Sequence, residues 1–83
     1  MAYTYIIYSA KLDKFYVGAT QNELSERIRK HNSNHKGFTG RANDWITVYS
    51  EAYDTFDQAL NREREIKRWK SRKLIEKLCS TPE

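Results

Sequence analysis

Eighty-three residues carry fifteen Lys and Arg against eleven Asp and Glu, a net charge of +4, and a chain this short has a radius of gyration of roughly 12 Å, too small to enclose a deep substrate cavity. Any active site should therefore be a shallow surface groove, better suited to a polymer than to a buried small molecule. A single cysteine, Cys79, excludes an internal disulfide, no Cys/His spacing resembles a zinc site, and neither a secretory leader nor a membrane-length apolar run is visible, so the expected setting is reduced, cytoplasmic and without a membrane partner.

The segment AYTYIIYS (2–9) is rich in aromatic and β-branched residues and predicts a first strand; KFYVGA (14–19) predicts a second. The polar AKLD between them leaves a hairpin loop of about four residues. That loop length pairs Tyr8 with Phe15, Ile7 with Tyr16 and Tyr5 with Gly18. One face then carries Tyr3, Tyr5, Ile7, Tyr16 and Gly18, and the other Thr4, Ile6, Tyr8, Phe15 and Val17. Both faces are largely apolar, so each should be covered. Gly18 stands out, because glycine weakens a strand and commonly marks a bulge or a close approach by another group.

A helix is expected over 22–32, with Asn22 as N-cap. The stretch 35–44 carries two glycines and polar residues and reads as a loop, with His35 exposed in it, and WITVYSEAY (45–53) reads as a third strand. Thr55 and Gln58 form a capping box that opens a helix to about Lys70, and Ser71 is placed to cap a last helix through Leu78. The expected fold is a small α/β domain spanning the chain, a three-stranded antiparallel sheet flanked by three helices in the order ββαβαα.

The helical stripes contain residues that a core does not favour. Leu24, Arg27, Ile28 and His31 fall at i, i+3, i+4, i+7; Phe56, Ala59, Leu60 and Glu63 do the same and Lys67 continues the stripe at i+11, with Ile66 alongside. Turning Arg27 or Glu63 toward a sheet costs several kcal/mol unless the group is paired or ligated. Either the two pair with each other or lean outward at the edge of the stripe, or they line a groove over the tyrosine face. In such a groove Glu63 can hold a divalent cation, Arg27 can clamp a phosphate and a phenol can handle protons. Residues 62–77 hold eight basic and three acidic residues, a local charge of +5. That is either the footprint of nucleic-acid binding or a solvated helix laced with pairs such as Glu63 with Lys67.

Read together, these residues resemble the GIY-YIG nuclease domain family, in its short single-domain form, which is also similar to the N-terminal incision domain of the nucleotide-excision repair nuclease. Tyr16-Val17-Gly18 matches the second half-motif. Tyr3-Thr4-Tyr5 is a degenerate first half-motif whose last tyrosine lies eleven residues before Tyr16. Arg27 matches the helix arginine, His31 a position that is often Tyr or His, and Glu63 within ALNREREIKRW the metal-binding glutamate. The chain departs from the family pattern in lacking the first-motif glycine, in carrying Ala19 where the repair enzymes have a lysine, and in having no evident C-terminal asparagine.

The resemblance implies a metal-dependent endonuclease acting on DNA in repair, recombination or processing, with branched or damaged DNA as candidate substrates. Tyr5, Tyr16, Arg27, His31 and Glu63 would form the catalytic set, Gly18 would keep the site open, and Glu63 would hold Mg²⁺ or Mn²⁺. Arg41, Lys67, Arg68, Lys70, Arg72 and Lys73 are the expected DNA contacts. With no second domain, specificity would come from DNA shape, from a protein partner or from a homodimer. The competing expectation is a nucleic-acid-binding module of the same fold with little or no catalysis.

Overall fold

A computed structural model describes residues 1–33 and 38–80. Its radius of gyration is 12.2 Å. Strands β1 (Ala2–Ser9), β2 (Lys14–Thr20) and β3 (Ile46–Tyr53) form one antiparallel sheet in the order β2-β1-β3, and helices α1 (Leu24–His31), α2 (Phe56–Arg68) and α3 (Arg72–Ser80) complete the order ββαβαα. The hairpin register is the expected one, with Tyr8 opposite Phe15, Ile7 opposite Tyr16 and Tyr5 opposite Gly18. The β1–β3 pairing shifts between Ile6 and Ile7, a bulge next to Tyr49 and Thr47.

The two apolar faces of the hairpin are covered by different elements. Tyr5 and Ile7 pack with Ala42 and Trp45, and Leu24 and Ile28 of α1 close over them beside Tyr16. Ile6 and Val17 pack on Ile66 of α2, with Trp69 and with Ile75 and Leu78 of α3 around them. The buried hydroxyl of Thr4 donates to the carbonyl of Ala59 at 2.7 Å, which holds α2 to this second face. On the first face, Asn32 ties the end of α1 to the start of β3: its Nδ2 donates to the Trp45 carbonyl, and its Oδ1 accepts from the Trp45 amide.

Local chemistry sets most of the boundaries. The capping box is formed, with the Gln58 amide donating to Thr55 Oγ1 and the Thr55 amide donating to Gln58 Oε1. The Ser71 hydroxyl accepts from the Leu74 amide and opens α3. Lys70, just beyond α2, has φ 48°, the left-handed geometry that stops a helix. The start of α1 differs from the expectation. Asn22 does not cap it; the helix begins at Leu24 after Glu23, with no side-chain cap bond. The Asn22 amide instead donates to the buried Thr20 hydroxyl, so Asn22 belongs to the turn leaving β2. Residues 34–37, and His35 among them, lie outside the described residues, and a 3-10 turn occupies Phe38–Arg41.

On β3, Glu51 collects the hydroxyls of Tyr49 and Tyr53 and the guanidinium of Arg62, whose other arm pairs with Glu65. Burial and the nearby carboxylate push both phenols up to about 12. Burial also works against the Glu51 charge, but its hydrogen bonds outweigh that and hold its carboxyl below the usual range. A depressed folded value means that Glu51 adds stability above its unfolded value of about 4.3, and that this stability is lost as pH falls through the folded value. Glu51→Gln is expected to cost about 2–3 kcal/mol at pH 7, because it removes the charge to which Arg62 and two phenols are bonded. The difference from wild type should shrink at pH 3, as read by urea melts at the two pH values.

Candidate active site

The tyrosine face of the hairpin explains where the polar stripe of α1 goes. Arg27 and His31 lie one turn apart on the side that meets Tyr5 and Tyr16. His31, at the end of α1, is only 5 % exposed, and Tyr5 is fully buried. The Tyr5 hydroxyl and His31 Nε2 are hydrogen-bonded at 2.8 Å, and Arg27 Nε donates to the same phenol oxygen at 3.3 Å. Arg27 Nε can only donate to that oxygen, and the direction of the Tyr5–His31 bond is set by the His31 tautomer. The His31 ring also faces Tyr16, with centroids 5.3 Å apart.

Burial raises the Tyr5 pKa above its ordinary value. Arg27 works against this, while Tyr16 and Glu63 add to it. Tyr5 is therefore a neutral phenol at physiological pH, fixed at both its oxygen and its ring. Gly18 is what lets it fit: a Cβ at that position would stand 2.5 Å from the Tyr5 hydroxyl oxygen and 2.6 Å from Cζ.

Glu63 reaches this group by a route that periodicity did not indicate. Its helix packs on the opposite face of the sheet, through Ala59 and Ile66. Because β2 is an edge strand, α2 can pass side chains around it toward the tyrosine face. Glu63 pairs with Lys67 at 2.6 Å, and the Lys67 ammonium stands 5.4 Å from the centre of the Tyr16 ring. The Glu63 side chain is 16 % exposed and that of Lys67 48 %. Glu63 thus sits at the margin of its stripe, paired along its own helix and close enough to act electrostatically on Tyr5.

Open clefts flank the cluster on both sides. Arg27 and Lys30 both line a cleft of about 460 Å³ toward Asn22 and Glu26, and another of about 330 Å³ toward His31 and Ser33. Beyond the β2 edge, Tyr16, Lys67 and Lys70 line a third, of about 300 Å³, floored by Phe15, Val17, Ile66 and Ile75. Lys30 was not singled out from the sequence, although its place three residues after Arg27 was a usable signal.

The expected DNA contacts are spread more widely than the cluster. Lys67, Arg68, Lys70 and Lys73 are exposed at the α2–α3 junction. Arg41 is exposed by another cleft, beside Asn32 and Ala42. Arg72 is held by the Asp13 carboxylate and carbonyl and by Glu76, and it covers the ring of Phe15, so it pins α3 to the hairpin turn.

Whether the donor set suits a metal can be judged from its chemistry. Among the described residues no group of three His, Cys, Asp or Glu side chains is assembled to hold an ion, which argues against a fully protein-ligated site. A lone carboxylate beside open clefts fits a hard cation that keeps most of its water, as Mg²⁺ does.

The family model described as the GIY-YIG catalytic domain matches residues 1–76. A comparison with curated proteins returned no match, and neither did a comparison with solved structures. Among the described residues no helix is long and apolar enough to cross a membrane.

Proposed function

The chain belongs to the GIY-YIG catalytic domain family, a family of nucleases that act on DNA, and on that premise we propose that it is a divalent-metal-dependent endonuclease hydrolysing DNA phosphodiester bonds. The observation that carries the reading is the convergence of Tyr5, Arg27 and His31 in one hydrogen-bonded group, with the Tyr16 ring and the Glu63–Lys67 pair against it. No packing requirement explains why a buried histidine, a guanidinium and two phenols should share one face of so small a sheet.

Each residue then has a role. Glu63 holds Mg²⁺ or Mn²⁺, which when bound polarises the phosphate and stabilises the departing oxygen. Arg27, bordering two open clefts, neutralises charge on the non-bridging oxygens of the scissile phosphate. Tyr16 is half-buried and lines an open cleft, so its phenol is the one that meets the attacking water. Tyr5 has no exposed surface and orients His31 and Arg27 from beneath. His31 accepts a proton from the Tyr16 side. Lys30 on one side and Lys67 and Lys70 on the other mark a path for the DNA backbone across the edge of β2.

Substrates are expected to be chosen by shape, since the proposed site is a shallow surface groove. Branched or damaged DNA in repair or recombination fits this, with a protein partner or a second copy supplying any further specificity, in the cytoplasm. The test is cleavage of a panel of linear, nicked, flapped and branched DNA with Mg²⁺, Mn²⁺ or EDTA. Product is expected with either metal and none with EDTA. Salt-sensitive binding without product on any substrate would favour the catalytically silent DNA-binding module.

A further inference from the structure

The pair that closes the cluster, Glu63 with Lys67, puts an ammonium where the proposed cation must bind. Lys67 Nζ is 2.6 Å from Glu63 Oε2, and the carboxylate is the more buried partner, 16 % exposed against 48 % for the lysine. A divalent cation on Glu63 would face this ammonium at contact distance, and like charges so close repel strongly. The two occupants therefore exclude one another.

Lys67 also has somewhere else to go. Its long side chain is 48 % exposed and lines, with Lys70 and Tyr16, the cleft along the β2 edge. A DNA phosphate in that cleft would meet two ammonium groups, one of them already engaged by Glu63. We propose that Lys67 is an exchangeable counter-ion: it holds Glu63 in the DNA-free protein and moves to a backbone phosphate when DNA arrives, freeing the carboxylate for the cation. This rests on the reading of Glu63 as the metal-binding residue. DNA and metal then bind with positive coupling, and by linkage each strengthens the other by the same factor. The device keeps the metal carboxylate shielded until substrate is in place.

The test uses the intact DNA-free protein and Mn²⁺ itself, with free Mn²⁺ followed by its paramagnetic resonance signal. Lys67→Gln is expected to bind Mn²⁺ about fivefold more tightly than wild type, the top of the range for a pair that is partly exposed. Arg64→Gln, which removes the same charge one position from Glu63, should stay within about twofold of wild type because an exposed charge is screened. In EDTA, Glu63→Gln should bind a short duplex about fivefold more tightly by fluorescence anisotropy, and the double variant with Lys67→Gln should lose that gain. If Glu63→Gln loses Mn²⁺ binding while Lys67→Gln binds it no better than wild type, or not at all, the counter-ion exchange is wrong and the metal reading stands. If Glu63→Gln binds Mn²⁺ as wild type does, the reading of Glu63 itself fails, and the exchange with it.

Discussion

Glu63→Gln should cut DNA at least about a thousandfold more slowly than wild type in either Mg²⁺ or Mn²⁺, the scale set by removing a group that stabilises transition-state charge. The substitution keeps the shape of the side chain and removes only its charge. Its cost to folding should be small, because what is lost is one i,i+4 pair with a half-exposed lysine, worth about 0.3–0.5 kcal/mol. Neither the Ala59 anchor nor the Ile66 core depends on it. Supercoiled-plasmid nicking over time measures the loss, and a thermal melt alongside it shows that the fold survives. The two readouts separate chemistry from stability, which truncation to alanine would mix. A variant that nicks at the wild-type rate would remove Glu63 from the reaction and leave the Tyr5, Tyr16, Arg27 and His31 cluster to be explained as a binding surface.

The site was partly legible in the sequence, for reasons that particular residues make plain. The hairpin register followed from the loop length, which sets Tyr8 opposite Phe15 and so Tyr5 opposite Gly18. The stripe of α1 set Arg27 and His31 on one face and left open whether they turn outward, pair elsewhere or line a groove; the structure puts both on Tyr5. The route of Glu63 was not legible. Periodicity identifies a stripe on α2 but not which face of the sheet it meets, and a residue at the margin of a stripe can pass an edge strand to reach the other face. The Asn32–Trp45 bridge has no sequence signature either, because its partners are a side chain and a backbone thirteen residues apart. Asn22 misled for a related reason: it has the chemistry of a cap, but its backbone N–H joins the turn leaving β2 and the N-cap position falls on Glu23.

Gly18→Val should damage both stability and cleavage, and the comparison with Gly18→Ala shows why. On strand propensity alone either change should help, by about 0.5–1 kcal/mol. The structure reverses that sign. The first added carbon would already lie 2.5 Å from the Tyr5 hydroxyl oxygen and 2.6 Å from Cζ, far inside contact. A phenol at the end of a mobile side chain could give way. Tyr5 is fully buried, and its oxygen is held by His31 and Arg27, so moving it breaks both bonds. Gly18→Ala is therefore expected to lose about 1–3 kcal/mol, the usual cost of overpacking, and Gly18→Val more. Cleavage should fall with both, because the displaced phenol no longer orients His31 and Arg27. Tyr5→Phe should not rescue either variant, since the ring carbon at 2.6 Å remains. A smaller residue, as in Gly18→Ala combined with Tyr5→Val, should recover part of the stability and none of the cleavage. Urea melts and nicking rates on the same preparations decide it. If Gly18→Val were as stable and as active as wild type, the close approach of strand and phenol would not be what glycine is there to permit.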